Sequence, residues 1–135
     1  MSAWKFHPMS NRLNILVVDD EASIRRLLPV LFKRAGHSAE VASNGEDALS
    51  LVSSGSKHFD VVVTDHEMPI LRGDELVGRL RSSGFEGAIM VCSAFLTPDL
   101  TSRYLRLGAR ECFSKPVPWE DLRDRVNEIA GSTTS

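Results

Sequence analysis

The sequence predicts an α/β fold, a parallel sheet with helices on both faces. Three observations carry this: short apolar runs alternate with segments of helical period, the runs themselves barely alternate, and glycines and prolines punctuate the joints. The runs are Ile15 to Val18, a weaker Ala39 to Ala42, Val61 to Val63, Ala88 to Cys92, and a brief one around Cys112 and Phe113. A strand buried on both faces reads this way because neither set of side chains meets water. Between the runs, Ile24, Leu27, Leu28 and Leu31 recur at helical spacing, as do Leu100, Tyr104 and Leu107, and then Leu122, Val126 and Ile129. Each set lays one stripe against a sheet. Gly36, Gly55, Gly84, Gly108 and Gly131 stand at expected helix C-terminal caps, and Asn44 and Thr97 at N-caps. Pro98 and Pro118 fall at first-turn positions, where a missing N–H has no intrahelical acceptor to lose. Pro29 lies inside the first helical stripe, which predicts a kink and not a break.

A chain of 135 residues suits one domain with a real core. The expected organisation is a flexible N-terminal extension over residues 1–12, one domain over 13–130 and a frayed tail over 131–135. A composition 42% hydrophobic and 25% charged argues against disorder. The formal charge of -2 argues against direct nucleic-acid binding, and the loose cluster of Arg103, Arg106 and Arg110 reads as a solvated face. Cys92 and Cys112 each lie in or beside an apolar run, so reduced thiols and a cytoplasmic location are expected. No apolar run approaches membrane-spanning length, so no membrane association is expected.

The chemistry gathers at the ends of the strand candidates. The first runs into Asp19, Asp20 and Glu21, the third into Thr64 and Asp65, the fourth into Ser93 and Ala94, and the fifth into Ser114 and Lys115. In an open parallel sheet these carboxyl ends share one edge, where ligands bind. With the first and third strands adjacent, Asp19, Asp20 and Asp65 form a self-repelling cluster, relieved either by protonation or by a cation. Oxygen-only donors favour a hard ion such as Mg2+. With Lys115, a hydroxyl and backbone N–H groups, the set suits a transferring phosphoryl group, and a carboxylate nucleophile needs no neighbouring base. Asp65, at the end of the central strand, is the expected nucleophile. Taken singly, Asp20 reads as a helix cap, Asp65 as a turn residue and Lys115 as a solvated lysine; their joint placement favours a site.

Asn14 to Glu21 (NILVVDDE), Asp60 to Pro69 (DVVVTDHEMP) with Gly73 beyond it, Ala88 to Ala94 (AIMVCSA) and Gly108 to Pro116 (GARECFSKP) resemble the motifs of response-regulator receiver domains of two-component signalling. The resemblance spans Leu13 to Ile129 and implies a flavodoxin-like (βα)5 domain of strand order 2-1-3-4-5, here of the stand-alone type. It implies that Asp65 is the phosphoacceptor for a histidine kinase or histidine phosphotransfer protein. Asp19, Asp20, Asp65 and the backbone carbonyl of Glu67 would bind Mg2+. Ser93, Ala94 and Lys115 would contact the phosphoryl group, and the Lys115–Pro116 bond would be cis. Such a domain is not an enzyme on other substrates; it catalyses only its own aspartyl phosphorylation and dephosphorylation. Its downstream protein target is expected at the face of helix four, strand five and helix five, and a second copy of the chain is a candidate partner.

Several positions depart from the pattern or invite a second reading. Cys112 stands where the family commonly has a switching aromatic residue, with Phe113 beside it. Glu67 adds a carboxylate, either to help hold the cation or to repel the phosphoryl donor. Phe95 is expected to shield an acyl phosphate from water. His66 should face away from Asp65, because neighbouring strand residues point to opposite faces. Tyr104, Phe113 and Trp119 read as packing residues. Three rival readings are a Mg2+-dependent phosphatase with Asp65 as nucleophile and Glu67 as acid/base, a degenerate receiver that binds without phosphorylation, and a flavin or nucleotide binder. The last is disfavoured by an acidic, glycine-free loop after the first strand.

Overall fold

The computed structural model describes residues 12–133, so the extension expected over 1–12 lies, apart from Arg12, outside the described residues. Five strands, β1 Asn14–Val18, β2 Ser38–Ala42, β3 Val61–Asp65, β4 Ala88–Ser93 and β5 Glu111–Ser114, alternate with five helices. The helices are α1 Ala22–Arg34, α2 Gly45–Ser53, α3 Gly73–Ser82, α4 Pro98–Leu107 and α5 Trp119–Thr133. All neighbouring strands pair in parallel in the order β2-β1-β3-β4-β5, the arrangement the sequence led us to expect.

Alternate residues of the central strands feed two cores. Leu16, Val18, Val62, Ile89 and Val91 pack with Leu76, Val77 and Leu80 of α3 and Tyr104 of α4. Ile15, Val17, Val61, Val63 and Met90 pack with Leu28 and Phe32 of α1 and with Leu122 and Val126 of α5. Every residue of β3 is buried, which is why that run shows no polar alternation.

The order reverses between β1 and β3, so their carboxyl ends flank the topological switch point. Register fixes what lies there. Val18 sits opposite Thr64, which brings the following residues, Asp19 and Asp65, side by side. On the other flank Asp65 pairs with Cys92 and Ser93 with Ser114, so Ser93 stands one step and Lys115 two steps further along the same edge.

The local signals are mostly met. The Asn44 side chain accepts from the Asp47 amide and Thr97 from the Leu100 amide, as N-caps should. Gly108 ends α4 with a φ of 106°, a left-handed geometry that strains any residue with a Cβ. Helix α1 runs unbroken through Pro29. Two details differ. Gly131 lies inside α5, which continues to Thr133; a glycine weakens a helix by only about 1 kcal/mol and ends it only where a left-handed turn is needed. Pro118 precedes α5 instead of sitting in its first turn, its carbonyl accepting from the Asp121 amide at 2.9 Å.

Candidate functional site

Asp19 leaves β1 with its amide bonded to the Ala42 carbonyl of β2, and its Oδ1 accepts from the Glu21 amide at 2.9 Å. That fixes the carboxylate at the switch point. Asp65, the last residue of β3, meets it there; both side chains are buried, while Asp20 is exposed. One carboxylate oxygen from each of Asp19, Asp20 and Asp65 lies within 4.8 Å of the others. Lys115 reaches in from the segment after β5, its Nζ 3.3 Å from Asp65 Oδ1 and 3.4 Å from both Asp19 Oδ2 and Glu21 Oε1. The bond that follows Lys115, to Pro116, is cis.

Electrostatically the cluster is overcharged. Burial, with the Asp19 charge beside it, pushes the Asp65 carboxyl up to about 7 against the pull of Lys115. Burial also raises Asp19, opposed by the Glu21 amide and Lys115. Burial alone would lower Lys115, but Asp19 and Asp65 outweigh it and hold its ammonium above the ordinary lysine value. One lysine does not balance these carboxylates. A compact set of oxygen donors, two of them buried and reluctant to ionise, fits a hard divalent cation.

Beside this cluster the Glu67 side chain does something the sequence did not reveal. Its Oε2 accepts from the Ser93 hydroxyl at 2.5 Å and its Oε1 from the Ala94 amide at 3.2 Å. Burial would raise the Glu67 carboxyl, yet the hydrogen bonds from Ser93 and Ala94 prevail and hold it below the usual range. The Glu67 amide in turn donates to Asp65 Oδ1 at 3.3 Å. The only advance signal was a carboxylate two residues beyond the central aspartate.

His66 turns from the cluster toward α4, where Nδ1 shares a hydrogen bond with the hydroxyl of Tyr104 and the two rings meet edge to face. Tyr104 is thus a packing residue with a polar anchor, in the same core that the half-buried Cys112 packs against. Arg103 is exposed, as its reading as part of a solvated face expects, but it also has a partner: its Nε lies 3.0 Å from Oδ2 of the buried Asp74, which Arg72 also engages. Phe95 is 76% exposed, so the apolar cover expected over Asp65 is not formed. The Ser93 hydroxyl holds the Phe95 amide at 3.1 Å and the ring stays in solvent.

Gly73 makes the close approach possible. A Cβ there would fall 2.5 Å from the Asp65 carbonyl oxygen and 2.5 Å from the Tyr104 hydroxyl. Gly73→Ala is therefore expected to destabilise the protein by about 1–3 kcal/mol, as overpacking does, read as a lower urea midpoint at an unchanged slope.

The sequence model of the family described as response regulator receiver domain matches residues 15–127. Sporulation initiation phosphotransferase F of Bacillus subtilis is 31% identical over 114 residues, 84% of this chain and 90% of that protein. The response regulator MprA of Mycolicibacterium vanbaalenii is 35% identical over 90% of this chain and 52% of its own length. The sensor histidine kinase RcsC of Escherichia coli is 36% identical over 86% of this chain but only 12% of its own length. The chain thus spans a small part to about half of these two longer relatives. The receiver domain of the Francisella response regulator 1452 superposes with a TM-score of 0.83 at 29% identity, covering 90% of this chain and 98% of that one. The chemotaxis protein CheY4 of Vibrio cholerae superposes at 0.78 with 27% identity, covering 87% and 98%. Among the described residues, no helix is long and apolar enough to cross a membrane.

Proposed function

The chain belongs to the response regulator receiver domain family, and we propose that Asp65 is its phosphoacceptor, charged by a histidine kinase or a histidine phosphotransfer protein. The observation that supports this best is the position of Asp65: buried, at the end of the central strand, within reach of Asp19, Asp20 and Lys115. A carboxylate oxygen of Asp65 attacks phosphorus as the bond from phosphorus to the donor's imidazole nitrogen breaks. The product is an acyl phosphate, and the imidazole leaves as the free base or its conjugate acid.

Asp19, Asp20, Asp65 and the Glu67 carbonyl would hold Mg2+, which offsets the negative charge of the phosphoryl oxygens when bound. Lys115 supplies the fixed positive charge, and the Ser93 hydroxyl and Ala94 amide are the hydrogen-bond donors on the same edge. The added charge on Asp65 draws Ser93 and Lys115 inward, and the face formed by α4, β5 and α5 rearranges for a protein target. The chain turns over no other substrate; it promotes only the gain and loss of its own phosphoryl group. A reducing, cytoplasmic setting accords with Cys92, whose thiol burial pushes up to about 12, and with Cys112, pushed to about 11.

The test is labelling by acetyl phosphate or by a phosphorylated kinase panel with Mg2+, read by intact mass. Addition of one phosphoryl group per chain supports the reading; multiple turnover of phosphomonoesters would replace it with the phosphatase alternative. Lys115→Ala is expected to retain labelling while losing the spectral change of the α4 and β5 amides that accompanies it in the parent. Full retention of that change would remove Lys115 from the response.

A further inference from the structure

We propose that the Glu67 carboxylate is an internal occupant of the phosphoryl-oxygen site, a gate that must be displaced before Asp65 can hold a phosphoryl group. This rests on the receiver reading above. Ser93 and Ala94 are the two neutral donors assigned to the phosphoryl oxygens, and in this structure Glu67 takes both, one oxygen on each, at 2.5 and 3.2 Å. A carboxylate bridging two donors reproduces the charge and bidentate spacing of two phosphoryl oxygens. The tether is short, because Glu67 follows Asp65 by two residues and its own amide is bonded to Asp65 Oδ1. The gate therefore rests directly beside the acceptor.

The consequence is competition. An incoming phosphoryl group meets donors already satisfied by an anion, so part of its interaction with Ser93 and Ala94 replaces an existing one. Glu67 sets the apparent affinity of the site for phosphoryl-like anions and the rate at which Asp65 is charged, without touching the reacting atoms. It is a positioning residue. Reach matters as much as charge: a shorter side chain at this position brings its carboxylate back by about 1.5 Å, out of hydrogen-bonding distance of both donors.

Beryllofluoride with Mg2+ serves as the phosphoryl-sized probe, titrated into the full chain and into Glu67→Ala, Glu67→Gln and Glu67→Asp, with the Ala94 amide resonance as readout. Glu67→Ala and Glu67→Asp are expected to half-saturate at about tenfold lower probe, the ratio that corresponds to about 1.4 kcal/mol. Glu67→Gln, which keeps one acceptor oxygen, should fall between. The Ala94 amide should move little in the parent, where one anion replaces another, and far more in Glu67→Ala, where an amide open to water gains an anionic acceptor. Half-saturation in Glu67→Ala equal to or weaker than the parent overturns the gate. So does parent-like behaviour of Glu67→Asp beside a tightened Glu67→Ala, since charge alone would then be the cause. In either case labelling of Asp65 by acetyl phosphate leaves the receiver reading standing. Absence of both labelling and saturable binding in all four proteins overturns that reading, and the gate with it.

Discussion

Asp65→Asn is expected to abolish incorporation of a phosphoryl group from acetyl phosphate or a phosphohistidine donor. The amide carries no negative charge, and its nitrogen lone pair is delocalised, so it is not a nucleophile toward phosphorus. No neighbour is placed to replace it. Asp19 has one oxygen on the Glu21 amide and the other facing Lys115, and Glu67 is bound to Ser93 and Ala94. Asp20 is exposed at the rim. The structure of the variant should otherwise hold, because the substitution preserves shape and removes charge from an overcharged cluster. Intact-mass analysis after incubation with donor and Mg2+ is the measurement. Labelling of Asp65→Asn to the parent's level would move the acceptor to another carboxylate.

The elements that position this cluster were legible because their signals are local. Ile15 to Val18 and Val61 to Val63 are apolar runs with no alternation, and burial on both faces of a parallel sheet is the cause of that pattern. Asp19, Asp65, Ser93 and Lys115 could be brought together from strand ends alone, since the topology of an open parallel sheet puts all such ends on one edge. What stayed hidden depends on which way a side chain turns. Glu67 offers a backbone carbonyl and a carboxylate, and nothing in the sequence distinguishes a carboxylate that faces a cation from one that faces Ser93. The bond from Tyr104 to His66, and the burial of Asp74 between Arg72 and Arg103, join residues that no helical or strand period relates. Phe95 misled for the opposite reason. An aromatic residue near a reactive group suggests a cover, but the Ser93 hydroxyl fixes its amide and leaves the ring outside.

Without metal, the protein is expected to lose stability as pH rises from about 4 to about 7, with Asp65 the principal cause. Burial and the Asp19 charge lift its carboxyl from the ordinary 3.8 to about 7 in the folded state. Between those values the folded chain keeps a proton that the unfolded chain has released, and the state that binds more protons is favoured by acid. The contribution is complete below 3.8 and gone once pH passes about 7. Asp19, also raised by burial, acts in the same direction. Glu67 and Asp74 are lowered, so they contribute above their ordinary values of 4.5 and 3.8 and lose that contribution only in more acidic solution. The interval from about pH 5 to 7 thus belongs to the buried aspartates, at a slope of up to about 1.4 kcal/mol per pH unit for one proton. Asp65→Asn cannot titrate; it should show a flatter profile and exceed the parent near pH 8 by roughly 1–3 kcal/mol. Urea midpoints at intervals across this range, in chelator, decide the matter. Mg2+ should recover stability in the parent and much less in the variant, whereas parallel pH profiles for the two proteins would show that Asp65 is not strained by its neighbours and that the cluster has no charge for a cation to relieve.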